Sequence, residues 1–201
     1  ADGFKTIDRS NADTGYDIQD YLVKLGWERE AQSLVFKAQY SEELSNETYL
    51  GLTDSDFSND ANRRYGLSLL DQMDNRHTSL SVSYQRNINE ALQLSLTAYR
   101  NDFARDWFKL SGGNDLVDAA NKGDLQAQAV LNGSADFAGL KMKHNNRSYL
   151  SQGLQANLDW AFDSHQVAFG ARVHQDTVDF DQPVEVYDQT GGQLVYQRTI
   201  A

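Results

Sequence analysis

The sequence predicts an all-β fold, an antiparallel meander of about six long strands with short helices in its long loops. Three observations indicate this. Apolar and polar residues alternate over stretches of about 9–11 residues, very short turns join these stretches in pairs, and a long polar excursion follows each pair. Because successive side chains of a strand point to opposite sides of a sheet, such alternation gives each strand one apolar and one polar face.

The alternation places each strand in turn. The six strands are expected at residues 16–28, 32–42, 76–88, 91–103, 149–162 and 165–179, with a further one at Gln193–Ile200. The short turns are expected at Glu28–Gln32, Asn87–Ala91 and Asp163–His165. The pattern is weakest in the first hairpin, where Leu22 and Val35 interrupt the polar face.

The polar excursions carry signals of local structure. They are expected at Glu42–His77, Asn101–Tyr149 and from Gln175 to the end, and the turn-rich opening Asp2–Gly15 has the character of the end of a loop. Helix-compatible spacing of Leu, Ala and Gln between glycines predicts short helices. These helices are expected at Asp115–Ala120, Gly123–Leu131 and Arg64–Met73. Loops of this length with structure of their own are usually functional.

Short turns on one rim and long loops on the other are typical of a transmembrane β-barrel. Aromatic side chains of the apolar face lie near strand ends, where such barrels meet the membrane surfaces; they are Trp27, Tyr40, Tyr84, Trp160 and Phe162. A soluble half-buried sheet would also alternate, but its strands usually have only about 5–6 residues. Because the smallest membrane barrels have about 8 strands, we expect a section of a larger barrel.

The composition excludes several classes of function. The chain has 201 residues, no Cys, one Pro and a formal net charge of −11. An acidic balance argues against nucleic acid as a partner. No stretch approaches about 18 consecutive apolar residues, so no membrane-spanning helix is predicted. The His residues are far apart and form no catalytic or metal-binding spacing, so we predict no enzyme activity, no bound metal and no cofactor.

Basic residues on the long-loop side are the best candidates for a binding site. Guanidinium groups bind carboxylates through two parallel hydrogen bonds, so these residues would suit an anionic ligand. The candidate ligand-binding residues are Arg63, Arg64, Arg105, Arg172 and His174. The competing interpretation is that the arginines pair with loop carboxylates, because Asp and Glu outnumber Lys and Arg by 29 to 18.

Several segments resemble the TonB-dependent outer-membrane receptors, near the ferric citrate receptor group. The resemblance is carried by Ser41–Phe57, Asn62–Tyr65 and Leu70–Asn75 in the first excursion, and by Asp2–Asp8, Tyr99–Trp107 and Gly170–His174 elsewhere. It spans nearly the whole chain. Its motifs are specific for the receptor family and uninformative about the substrate.

The resemblance implies a barrel of about 22 strands around an N-terminal plug, importing a ferric chelate across the bacterial outer membrane. The whole of residues 1–201 would then be part of the barrel, without the plug. The implied partners are a ferric chelate or similar nutrient, outer-membrane lipid, and the energy-coupling TonB protein acting through a missing N-terminal part. Two alternatives stay open: a passive porin-like channel, and a soluble all-β binding domain.

Overall fold

The computed structural model describes residues 15–200 and the backbone of residues 5 and 6, so the predicted loop end at Asp2–Gly15 lies almost entirely outside the described residues. The described strands are β1 (Lys5–Thr6), β2 (Tyr16–Arg29), β3 (Gln32–Ser45), β4 (Arg63–Arg64), β5 (Gln72–Asn89), β6 (Leu92–Ser111), β7 (Phe137–His144), β8 (Asn146–Phe162), β9 (His165–Asp181), β10 (Val184–Thr190) and β11 (Gln193–Ile200). The described helices are α1 (Asp54–Asn59), α2 (Gly113–Asn121), α3 (Leu125–Leu131) and a 3₁₀ turn at Gly66–Ser68.

One antiparallel sheet contains all of these strands except the short parallel pair β1 and β4. Strands β2, β3, β5, β6, β8 and β9 pair in chain order, as the predicted meander requires. β7 continues the path of β8, because both pair with β6 in one register and only Asn145 separates them. β10 continues β9 in the same way, and β11 pairs with β10. The predicted strand at Gln193–Ile200 is therefore confirmed.

The three predicted short turns are confirmed as two-residue connections, Glu30–Ala31, Glu90–Ala91 and Asp163–Ser164. Glu30 and Asp163 have φ of +47° and +49°. Such left-handed residues are usual in the tight hairpin turns whose twist matches that of the flanking strands. Asp tolerates this conformation well, whereas Glu adopts it less often.

The predicted apolar and polar faces are also confirmed. We call residues directly opposite one another on adjacent strands a row. Leu94, Leu158 and Phe169 form one row of the apolar face, and Thr97, Gln155 and Arg172 form one of the polar face. The apolar character continues from the short turns up to the row of Ala98, Leu154 and Val173. We call this part of the sheet the membrane-crossing part, after the transmembrane barrel that the sequence predicts.

Beyond that part, the strands are longer than the sequence pattern predicted. β6 continues to Ser111 although its apolar face becomes polar at Arg100, Asp102 and Asp106. The predicted excursion from Gln175 onward is wrong, because β9 and β10 extend to Thr190 and turn at Gly191–Gly192 into β11. Backbone pairing with β8 and β7 holds these residues extended whatever the polarity of their side chains.

At the far end of the sheet, residues 46–71 and 112–136 form a compact cap, which we call the lid. Leu110, Leu140 and Met142 of the sheet pack there against lid residues. The buried lid residues are Tyr65, Leu67, Val117, Val130 and Leu131. Because the β6 ladder shows no register shift between Leu94 and Leu110, the hydrophobic core of the lid packs on the same side of the sheet as the apolar face.

The helices of the lid agree only in part with the predicted ones. α2 and α3 lie where Asp115–Ala120 and Gly123–Leu131 predicted helices. The helix expected at Arg64–Met73 is wrong, because the buried Arg64 side chain bonds to Ser68 and to backbone carbonyls and holds a 3₁₀ turn there. α1 was not predicted. No described helix has the length and apolar character needed to cross a membrane.

Candidate ligand-binding site

Two groups of side chains stand out on the polar face, one at the upper end of the membrane-crossing part and one above it. The lower cluster consists of Tyr99, Arg172, His174 and Asp176, on β6 and β9. The upper cluster consists of Arg105, Lys109, Lys143 and Arg147, on β6, β7 and β8, nearer the lid.

The lower cluster is assembled across a glycine. Tyr99, Gly153 and His174 form one row of the polar face. Because Gly153 has no side chain, the Tyr99 ring reaches across β8, and its hydroxyl oxygen lies 2.5 Å from Nδ1 of His174. A Cβ atom at position 153 would lie 2.6 Å from that hydroxyl oxygen and 2.6 Å from the carbonyl oxygen of Val173.

Hydrogen bonds fix the state of the His174 ring. Nη2 of Arg172 lies 2.9 Å from Nδ1, and Nε2 lies 2.7 Å from Oδ2 of Asp176. Because a guanidinium can only donate, Nδ1 must accept, and the ring proton is on Nε2, which donates to Asp176. This hydrogen bond from His174 lowers the pKa of Asp176. The structure thus brings two of the predicted residues, Arg172 and His174, into direct contact.

The upper cluster brings like charges together. Arg105 lies directly opposite Arg147, and Lys109 lies directly opposite Lys143. Like charges in directly opposite positions destabilise a sheet. Two such pairs, four residues apart along β6, concentrate positive charge in a chain whose formal net charge is −11.

Buried donors without acceptors accompany these charges. Among the described residues, Nε of Arg105, Nε of Arg147 and Nε1 of Trp107 are buried and have no hydrogen-bond partner. A buried donor without a partner costs about 1–3 kcal/mol. Oδ1 of Asp106 is a further unpartnered atom, but it belongs to the opposite face of β6. These three donors thus have no acceptor among the described residues, and their atoms have almost no exposed surface.

Aromatic rings border the upper cluster. Tyr49 of the lid stacks on Trp107 with ring centroids 4.3 Å apart, and Nζ of Lys109 lies 3.8 Å and 4.4 Å from those two centroids. Partial burial lowers the pKa of Lys109, the charge of Asp71 opposes this lowering, and the charges of Lys143 and Arg105 add to it. Nη1 of Arg147 donates to the Tyr149 hydroxyl at 3.5 Å, and this bond lowers the pKa of the phenol.

The other predicted arginines lie in the lid and are already engaged. Arg63 forms an ion pair with Asp56 of α1. Arg64 is only 3% exposed, and its guanidinium donates to Ser68 and to the backbone oxygens of Asn46 and Asp71. Arg64 therefore stabilises the lid, and its side chain is not open to a ligand. Arg63 follows the competing interpretation, in which loop arginines pair with loop carboxylates, whereas Arg64 is held by a hydroxyl group and by backbone oxygens.

Sequence reasoning missed most of the upper cluster. It named Arg105 as a candidate, but not Arg147, Lys143 or Trp107. Counting outward from the short turns would not have found this pair, because Leu92 lies opposite Trp160 and the register of β6 and β8 is thus offset by two residues at the turn end. Among the described residues, no group of three or more His, Asp or Glu side chains could hold a metal ion.

Comparison with known proteins identifies the fold. No protein-family model matches the chain, and no curated protein sequence does. The crystal structure of the ferric citrate transporter FecA in its unliganded form does match, with a TM-score of 0.61 and 16% sequence identity. The match covers 92% of this chain and 24% of that one. The fold is that of a section of a transmembrane β-barrel. This chain spans about a quarter of the length of the transporter.

Proposed function

We propose that this chain forms part of the barrel wall of a TonB-dependent outer-membrane receptor that imports a ferric chelate. In this proposal the polar face lines the lumen, the long loops face outward, and the upper cluster binds an anionic chelate. The observation that carries the proposal is the upper cluster itself, where two opposed pairs of cations surround buried donors that have no acceptor within the described chain.

The chemistry of the upper cluster suits a chelate rich in carboxylates. A guanidinium presents parallel N–H groups that match a carboxylate, and Arg105 and Arg147 present two of them side by side. A bound anion would relieve the repulsion between opposed cations and would supply acceptors to the buried donors. The likeness in fold to a ferric citrate transporter supports this ligand class.

The remaining partners follow from the same proposal. The apolar face contacts outer-membrane lipid, and the lower cluster lies deeper along the path of a ligand that has passed the upper one. Energy for transport would come from the TonB protein through a part of the receptor outside residues 1–201. Ligand binding, and no bond-breaking chemistry, would be the task of this wall.

The test is equilibrium binding of ferric citrate to the full-length receptor that contains this chain. Arg105→Gln and Arg147→Gln should each weaken binding by about 1.5–3 kcal/mol, because each removes a hydrogen bond to a charged group. Arg63→Gln is the matched control, since it removes an arginine that is already paired with Asp56, and it should leave the affinity unchanged.

A second ligand separates charge recognition from general damage. A neutral ferric chelate should bind the wild-type receptor weakly and should lose little affinity in either upper-cluster variant. If both variants bind ferric citrate as the wild type does, the upper cluster is not the binding site and the proposal is wrong.

A further inference from the structure

We propose that the apolar face carries a specific lipid site, in which a groove holds an acyl chain and Arg100 binds the phosphate of the same lipid. The inference rests on the membrane setting of the proposed function, but not on the nature of the transported ligand. The groove lies on the opposite side of the sheet from the upper cluster.

The groove is made by small side chains. Two depressions of about 460 Å³ and 490 Å³ lie along the apolar face. They are contiguous, because both are lined by Val82, Ala98, Leu154 and Val173. Ala98 lies in the floor, and Ala156 and Ala171, directly opposite each other on β8 and β9, continue it toward the short turns.

The walls of the groove are larger apolar side chains that project from the sheet. Leu154 is 64% exposed and Val173 is 77% exposed on one side, and Val82 borders the floor on the other. Each depression falls in the range of about 300–1,000 Å³ that is usual for small-molecule sites. In a membrane, such an apolar channel accommodates a hydrocarbon chain.

A polar row closes the upper end of the groove. Arg100, Gln152 and Gln175 form the row directly above Ala98, Leu154 and Val173, and all three line the first depression. Gln152 donates to Gln175 at 3.1 Å. This row marks the upper end of the apolar face. A lipid whose acyl chain fills the groove would have its phosphate at this depth.

The Arg100 guanidinium is held by an ion pair but keeps donors that are available to a ligand. Its Nε and Nη2 atoms donate to the two carboxylate oxygens of Asp102 at 2.8 Å and 2.9 Å. A guanidinium has five N–H donors, so three stay available for a phosphate. The Arg100 side chain is 52% exposed. The order from groove to arginine therefore matches the order from acyl chain to phosphate in a lipid.

Native mass spectrometry of the full-length receptor in nonionic detergent tests this proposal. Phosphatidylglycerol and a diacylglycerol with the same acyl chains are the two probes, because they differ in the phosphate-bearing headgroup. The wild-type receptor should retain one phosphatidylglycerol molecule. The double variant Ala98→Leu/Ala156→Leu, which fills the groove, should lower the retained fraction at least tenfold. Ala38→Leu, on the same face but outside the groove, should retain the lipid.

The phosphate contact has its own pair of variants. Arg100→Gln should lower the retention of phosphatidylglycerol several-fold without changing that of diacylglycerol, whereas Arg86→Gln, on the same face within the membrane-crossing part, should change neither. Equal retention in the groove-filling variant and the wild type overturns the lipid site, and unchanged retention in Arg100→Gln overturns the phosphate contact. Ferric citrate binding by these variants should equal that of the wild type, so failure here leaves the transport proposal intact.

Discussion

Gly153 is the residue on which the lower cluster depends. A side chain there would occupy the space through which Tyr99 reaches His174, and its Cβ would also meet the carbonyl oxygen of Val173 at 2.6 Å. The backbone contact matters because a backbone atom cannot turn away as a side chain can. Glycine at this position is thus required by the packing of neighbouring strands, and not by an unusual backbone conformation.

Gly153→Ala should therefore destabilise the protein by about 1–3 kcal/mol, the usual cost of overpacking. The matched control is Gly26→Ala on β2, where nothing lies within 4 Å of the added Cβ; the stability there should stay within about 0.5 kcal/mol of the wild type. The measurement is urea unfolding of the full-length protein in lipid vesicles. Equal stabilities of the two variants would contradict the close contact at Gly153.

At the scale of elements, Asp71 ties the lid to the sheet. Its side chain is 1% exposed, accepts from the Thr48 hydroxyl and from the backbone N–H of Leu110, both at 2.7 Å, and faces the charges of Arg64 and Lys109. Burial raises the pKa of Asp71 to about 6, and these hydrogen bonds and charges oppose the rise only in part. The folded lid therefore binds the Asp71 proton more tightly than an unfolded lid does.

The lid should lose stability as the pH rises. A carboxyl group with a raised pKa in the folded state contributes its full stability below about pH 4 and loses it as the pH rises through about 6, a difference on the order of 3 kcal/mol. Asp71→Asn should remove most of the pH dependence of the lid's stability, whereas the control Asp118→Asn, at an exposed position of α2, should leave it unchanged. Hydrogen exchange of residues 46–71 and 113–131, corrected for the intrinsic rate at each pH, is the measurement. Equal protection of the wild-type lid at pH 4.5 and pH 7.5 would contradict the predicted loss of stability.

The comparison of sequence and structure is also clearest for the elements. The hairpins were predictable because Leu92–Ala98 and Leu154–Phe162 alternate in the period of a strand, and lipid on one side with polar surroundings on the other enforces that pattern. Above the membrane both faces of the wall are polar, as at Arg100 and Asp102, so alternation ends although the hydrogen-bond ladder continues. The ends of the strands, β10 and the lid therefore depend on pairing that a single sequence does not display.

The candidate site was only partly predictable for the same reason. Arg172 and His174 lie two residues apart on one strand, so their common face follows from alternation alone. Arg105 and Arg147 lie on different strands, and both were placed in the excursion Asn101–Tyr149 because that polar segment lacks an alternating pattern. Arg64 was expected at the ligand, but its burial depends on the fold of the lid, for which the sequence carries no periodic signal.

At the scale of the whole molecule, the two faces of the wall should respond differently to charge. Arg at Leu96 would place a cation on the apolar face in a row that is otherwise uncharged, with Tyr84, Ala156 and Ala171 among its other members. The cost should be about 2–4 kcal/mol. Arg at Ser83 or Thr97, which lie on the polar face at similar depth and opposite uncharged residues, should be tolerated. Folding of the full-length protein into lipid vesicles gives the comparison, and an equal cost on both faces would contradict the assignment of the apolar face to lipid.

Energy dependence of uptake separates the proposed receptor from a passive porin-like channel. Conduction through a passive pore requires binding weak enough for the ligand to leave. The upper cluster has the opposite character, because opposed cations and buried donors without acceptors favour tight binding of an anion. In the proposed receptor a tightly held ligand would leave slowly, and its accumulation against a concentration difference would need an energy source.

Cells that carry the full-length receptor should therefore accumulate radiolabelled ferric citrate at low external concentration, and this accumulation should stop when the proton-motive force of the inner membrane is dissipated. A passive channel would continue to equilibrate the chelate after that treatment. The double variant Arg105→Gln/Arg147→Gln, with its weaker site, should need a higher ferric citrate concentration for half-maximal uptake while keeping the energy dependence. Uptake that persists without the proton-motive force would favour the passive channel. Transport through such a channel needs no energy from the TonB protein.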